Sequence, residues 1–293
     1  MAVPLLLLLF LFAVGWLAPR ALAGAAWAVR APRAAITGWA ALISAGAVGV
    51  AMALHWAATP AHRVESPLGW LLRRGALPVE GIAGHTEALA LALAALAVPA
   101  AVVAAGCRRA ARARARHRSA LELVARPAGE WWVLDQERAA AWCVPGAGGR
   151  IVLTSGALAR LSDGQRAAVL AHEGAHLAGR HHLLTAGAAA LGRALPWLPA
   201  ARSAAEQVPL LVELVADDVA LRRCERRVLA EALCVVAAGA APAGGLGAGG
   251  HGVLLRVERL LGSARGLSPL VRGACWLGVL ALPLVPVLLA CGP

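Results

Sequence analysis

Four apolar stretches constrain this chain more than anything else in it: Ala2–Ala18, Ala34–Ala58, Ala88–Gly106 and Ala274–Cys291. Each is about as long as the 17–25 residues an α-helix needs to cross a bilayer core. In lipid the backbone must satisfy its own hydrogen bonds, so segments of this kind become helices. Composition agrees. The 293 residues are 60% hydrophobic and 15% charged, whereas soluble chains are about 45–50% apolar and about 25% charged. The ALAG at Ala21–Gly24 resembles a signal-peptide cleavage site, but no basic residue precedes the first apolar run. Arg20, Arg30 and Arg33 follow it instead and favour a retained helix.

The net charge is +12, and its placement argues against a nucleic-acid partner. Arg108, Arg109, Arg112, Arg114, Arg116 and Arg118 follow directly on the third apolar run. Such clusters mark the cytoplasmic end of a membrane helix and contact anionic lipid. No nucleic-acid recognition motif accompanies them. Counting spans from this cluster puts both termini outside and the long third connection in the cytoplasm. The loop carrying Arg63, Arg73 and Arg74 is diluted by Glu65 and Glu80. The six cysteines (Cys107, Cys143, Cys224, Cys234, Cys275, Cys291) show no CxxC spacing and read as small buried residues.

Between Ser119 and about Leu270 lies a more polar region long enough for one compact domain. WWVLD, AAAWCVPG and RIVLTSG read as short strands. Ser162 and Gln165 form a capping box, and the helix they start runs on through VLAHEGAHLAGRHH, Val169–His182. A second helix is expected over about Glu206–Ala238. Ala241–Gly252 reads as a Gly/Ala-rich linker, and VLLRVERLL as a short amphipathic helix leading to the fourth span.

The HEGAH at 172–176 puts His172 and His176 four residues apart, on one helix face, where two imidazoles can share a zinc ion. Glu173 stands beside them as general base for water attacking a carbonyl. Val169, Leu170, Ala171, Ala175 and Leu177 make the helix a buried one, so these polar residues need a reason to be there. Two sources exist for a third ligand. The longer pattern HExxHxxGxxH would use His182, but it requires a downstream methionine turn, and Met1 and Met52 both lie upstream. The shorter pattern takes Glu213 from VELVADDVAL, with Asp217 four residues on accepting a hydrogen bond from a ligating imidazole. Asp218 reads as a surface or capping group, and His181 and His182 as a polar helix face. Leu183–Leu198 is apolar but short and reads as a buried or interfacial helix. A full crossing there would separate Glu213 from His172.

RIVLTSGALARLSDGQRAAVLAHEGAHLAGRHHLL, followed by PWLP and VELVADDVALRR, resembles the membrane gluzincins. It is most similar to the BlaR/MecR-type peptidases and more distantly to the HtpX and CAAX-protease group. The resemblance implies an α-helical membrane protein carrying an α+β zincin-like metallopeptidase domain. Residues 1–107 would form three spans, 108–118 a basic juxtamembrane link, 119–270 the domain, and 271–293 the last span. It implies one zinc ion on His172, His176 and Glu213, Glu173 as base, and a protein or peptide substrate such as a BlaI/MecI-like repressor. A quality-control protease of HtpX type is the alternative within this class. A receptor or scaffold with structural zinc is the alternative outside it, and Glu173 speaks against that. The resembling sensors carry a penicillin-binding domain after the last span, which a chain ending at Pro293 is expected to lack. There is no tyrosine for the oxyanion, so Arg222, Arg223 or a histidine is expected to serve.

Overall fold

The computed structural model describes residues 2–58, 86–146, 148–240, 249–262 and 267–291. It divides into two compact units. One comprises Met1–Ala105, Gly187–Gln207 and Leu267–Pro293, the other Gly106–Ala186 and Val208–Gly266.

The described residues of the first unit are helical. α1 (Ala2–Phe12) passes through a π turn at Ala13–Leu17 into α2 (Ala18–Ala23). Pro19 explains the turn, because it lacks an N–H and its ring crowds the carbonyl four residues back, at Gly15. After α3 (Ala26–Arg30), α4 (Pro32–Ala58) forms the centre of the unit. Trp39, Leu42, Ala35 and Ala45 are buried along it. Its small residues let neighbouring helices approach closely: a Cβ added to Gly49 would lie 2.8 Å from Leu11 Cδ2. Leu5, Leu6, Leu8 and Leu9 are exposed on α1, as suits a lipid-facing surface. At the other end of the chain, α12 (Pro269–Ala281) continues through a 3₁₀ turn at Leu282–Leu284 into α13 (Val285–Cys291). Pro283 and Pro286 interrupt the hydrogen-bond ladder there.

Among the described residues, four segments are long and apolar enough to cross a membrane: Val3–Ala23, Pro32–Ala58, Leu89–Val124 and Pro269–Ala290. They coincide with the four predicted stretches, with one change. α5 (Thr86–Val124) does not stop where its apolar part ends. Residues 108–118 are helical because Ala and Arg, which make up nearly all of the segment, are strong helix formers and no breaker follows Gly106. The loop with Arg63, Arg73 and Arg74 lies outside the described residues.

The second unit is built on a four-stranded sheet. β1 (Ala125–Ala128), β2 (Trp131–Leu134), β3 (Ala141–Val144) and β4 (Arg150–Thr154) are ordered β1-β2-β4-β3. β1 pairs antiparallel with β2, β2 parallel with β4, and β4 antiparallel with β3, so β3 is an edge. β1 was not expected. Val152 and Leu153 on β4 are both fully buried on opposite faces. Val152 packs with Leu121 and Val144; Leu153 packs with Val169, Leu161 and Ala232. Thr154 caps α6 (Ser155–Arg160), its Oγ1 accepting from the Ala157 N–H at 3.1 Å. The Ser162–Gln165 capping box opens α7 (Asp163–Ala178), as expected.

Three expectations for this region need correction. α7 ends at Ala178 instead of running through His182, and α8 (His181–Ala194) begins after a break. α8 has only 14 residues, too few to cross a bilayer. The helix expected over Glu206–Ala238 is two, α9 (Pro199–Ala220) and α10 (Arg226–Ala240). The turn between them brings Ala220 and Leu229 into one core with Ala168 and Leu260. A straight helix would hold those two positions about 13 Å apart. Finally, Gly249–Gly252, expected to belong to a linker, start α11 (Gly249–Leu261). Residues 241–248 lie outside the described ones.

Candidate metal centre

α7, α9 and α11 meet at one cavity of about 370 Å³, and Ala141, Trp142 and Cys143 of the β3 edge help line it. α7 contributes His172 and His176 from successive turns; α9 contributes Glu213. Their ligand atoms lie within 4.8 Å of one another. The two Nε2 atoms are 3.2 Å apart. Glu213 Oε2 is 3.3 Å from His172 Nε2, and Oε1 is 3.3 Å from His176 Nε2. A tetrahedral ion with bonds of about 2.0–2.1 Å holds its ligands about 3.3 Å apart. The donor set of two imidazoles and a carboxylate therefore fits zinc, with a fourth position left over.

Each imidazole is also held from behind. His172 Nδ1 lies 3.0 Å from Asp217 Oδ1, on the next turn of α9 after Glu213. That approach is not aligned as a hydrogen bond, because Asp217 gives its aligned contacts to Arg256. His176 Nδ1 lies 3.1 Å from Nδ1 of His181. A His176 that ligates through Nε2 carries its proton on Nδ1, so His181 accepts there.

His181 reaches this place because of the break after α7. Arg180 takes a left-handed conformation, φ 49°, which turns the chain back. A Cβ on Gly179 would strike the His181 ring, so only glycine leaves room for it. His181 is buried, not part of a polar face. His182 points elsewhere: it lines a different groove and is not in the cluster, so the longer metal pattern is not what the fold assembles.

Arg256 of α11 was missed. It is buried and reaches three groups. Nε and Nη2 donate to Asp217 Oδ2 and Oδ1 at 2.8 and 2.7 Å. Nη1 donates to Glu213 Oε2 at 2.8 Å, and Nη2 lies 3.3 Å from His172 Nε2. Arg222 and Arg223, expected near the reacting carbonyl, are exposed in the turn after α9. Asp218 pairs with Arg259 at 2.7 Å.

Electrostatics follow from this crowding. Burial by itself would lower the His172 pKa, but contact with Asp217 and then Glu213 outweighs it and lifts the value to about 9. Burial opposes charge on Glu213 and Asp217 as well. The histidine contacts for Glu213, and Arg256 for Asp217, override it and hold both carboxyls below their usual range. Burial pushes the Cys143 thiol up to about 12, and the nearby Glu173 carboxylate adds to the rise. With His172 neutral, as a metal ligand must be, the carboxylates of Glu173, Glu213 and Asp217 against one guanidinium leave two negative charges, which a divalent cation would balance.

Residues 108–208 match the family model of Peptidase family M48. The match supports a zincin-type metallopeptidase domain and does not single out the BlaR/MecR type. It covers the sheet and the HEGAH helix and stops before Glu213, so Glu213 and Asp217 stand on geometry alone. No curated protein and no solved structure matches the chain.

Proposed function

We propose that this chain is an integral membrane zinc endopeptidase with its catalytic unit on the cytoplasmic side. The observation that carries the reading is the spacing of His172 Nε2, His176 Nε2 and the Glu213 carboxylate, all about 3.3 Å apart as zinc ligands are. When bound there, zinc supplies Lewis acidity and brings water near its working pKa.

The chain's own residues do the rest. Glu173, on the same turn of α7 as His172, takes the proton of the attacking water and returns it to the leaving amine. Cys143, which lines the same cavity, is placed to orient that carboxylate. The open edge of β3, beside the cavity, takes the substrate as an added strand, with Ala141 and Cys143 on the face toward the site. Asp217 and His181 fix the ring orientations of His172 and His176. Arg256 holds Glu213 and Asp217 together and keeps the carboxylates from repelling. The preferred substrate is a cytoplasmic regulatory protein, a BlaI/MecI-like repressor by the resemblance of the region; cleavage of misfolded membrane proteins is the alternative.

The test is cleavage of membrane and soluble proteins by the wild type against Glu173→Gln, with zinc content measured for both. Equal zinc with cleavage by the wild type alone supports the reading. Equal zinc with no difference in cleavage favours a zinc-stabilised receptor, and no zinc in either overturns the ligand set.

A further inference from the structure

Resting on the endopeptidase reading, we infer that one half of the metal cavity is a pocket for a substrate side chain. Leu233 and Val236 of α10 set its selectivity, so the bond cleaved carries a bulky aliphatic or aromatic residue on one of its two sides.

The cavity changes character along α7. Val169, His172, Glu173 and His176 all line it, and their spacing places them on one face of the helix. His172 and His176 stand at the metal end with Glu213 and Arg256. Val169 stands one turn before Glu173. α10 lies along this earlier half of α7: Val169 shares a core with Ala232, and Ala168 shares one with Leu229. From α10 the cavity receives Leu229, Leu233 and Val236, which are four and three residues apart and so also lie on one face. The part of the cavity on the Val169 side of the base is therefore apolar.

This part has room for an occupant. The whole cavity measures about 370 Å³, within the range of small-ligand pockets, whereas a metal-bound water takes only about 30 Å³. Val169 and Leu229 are buried, but Leu233 and Val236 are only partly so although both line the cavity. The facing strand residues, Ala141 and Cys143, are small. The distance between strand and helix is fixed by Gly239, one turn after Val236. A Cβ there would collide with the backbone of Ala139, just before β3. Ala141 and Val236 pack around the same core, so wall and strand belong to one rigid body.

A substrate strand added to the β3 edge turns every second side chain toward the site. With the cleaved bond beside Glu173, a neighbouring side chain meets Val169, Leu233 and Val236. A charged or amide group would lose its water there without gaining a partner. Leucine, methionine or phenylalanine would bury apolar surface instead, and alanine or glycine would leave the space part-filled.

The experiment uses the full zinc-loaded chain in uncharged detergent. Two hydroxamates that hold zinc through the same group are titrated against the melting temperature: acetohydroxamate, and 4-methylpentanohydroxamate, which adds an isobutyl group. Bonds cleaved in unfolded β-casein are mapped by mass spectrometry. The wild type is expected to bind the branched compound about tenfold or more tighter and to cut chiefly beside leucine, isoleucine, valine, methionine or phenylalanine. Leu233→Trp fills the pocket. It is expected to keep zinc, bind the two hydroxamates alike and shift its cuts to smaller residues. Cys234→Trp, on the exposed side of α10, is expected to keep the wild-type preference. Val236→Phe repeats the test should Leu233→Trp lose zinc. Equal hydroxamate affinities in the wild type, cuts without apolar preference, or equal effects of the changes at 233 and 234 overturn the pocket and leave the endopeptidase reading standing. Absence of zinc or of any cleavage by the wild type is instead a failure of that reading, and the pocket falls with it.

Discussion

Arg256 grips Asp217 through two parallel hydrogen bonds, Nε to Oδ2 at 2.8 Å and Nη2 to Oδ1 at 2.7 Å, and the Asp217 carboxylate is completely buried. The pair ties α11 to α9 across 39 residues of sequence, at the back of the candidate metal site. Removing one partner of a buried pair leaves the other charge uncompensated, at a cost of about 3–5 kcal/mol. Arg256→Met is expected to destabilise the second unit by that order. Arg256→Met with Asp217→Asn is expected to recover much of the loss, because both charges are then gone. Denaturant unfolding in mild detergent reads both. If the single variant unfolds like the wild type, the pair is not a structural tie.

His181 makes a second, independent prediction. It is the residue that backs His176, as Asp217 backs His172, and partners of this kind set metal affinity by about 10–100-fold. His181→Ala is expected to weaken zinc by that factor in competition with a chromophoric chelator. His182→Ala, one residue on and facing another groove, is expected to leave zinc affinity as it was. Equal effects of the two would remove His181 from the site.

What was legible in the sequence was whatever depends on short spacing. The apolar spans, the Ser162 capping box, the i, i+4 pair of histidines and the i, i+4 pair Glu213 and Asp217 all depend on periodicity within one helix. The parts that were missed depend on tertiary or unusual local geometry. Arg256 lies in VLLRVERLL, which reads as an ordinary amphipathic surface helix, and only the packing of α11 against α9 turns it inward. His181 depends on a left-handed Arg180, a conformation that arginine does not announce as glycine would. β1 contains Pro127 and spans four residues, so it lacks a strand's signature; it is tolerated because β1 is an edge.

The metal-free site gives a pH dependence with a definite sign. His172 rises from 6.5 in its ordinary state to about 9 when folded. Its contribution to stability is therefore complete below about pH 6.5 and is lost as pH climbs through 9. Glu213 shifts the other way. Its contribution is complete above its ordinary 4.5 and is lost as pH falls through its lower folded value. Chelator-treated protein is expected to be most stable between about pH 4.5 and 6.5 and to lose stability toward pH 9. Zinc-loaded protein is expected to be stable at alkaline pH and to lose zinc on acidification, since protons compete for the imidazoles. Melting temperatures of the two forms across this range test the pairing. A chelator-treated chain whose stability rises from pH 6.5 to 9 would contradict it.

Cys143 offers a test of the cavity's first occupant on the strand side. Its thiol, held protonated by burial and by the neighbouring Glu173 with a pKa of about 12, is a poor nucleophile, because the thiolate is the reactive form. Cys234 on α10 is exposed. In the folded chain at pH 8, a water-soluble maleimide is expected to label Cys143 roughly 100-fold more slowly than Cys234. Glu173→Gln removes the charge that helps hold the thiol protonated, so labelling at Cys143 is expected to quicken in that variant while Cys234 stays unchanged. The rate is followed by mass spectrometry of the labelled peptides. An unchanged Cys143 rate in Glu173→Gln would mean that burial alone protects the thiol and that the Cys143–Glu173 contact does not orient the base.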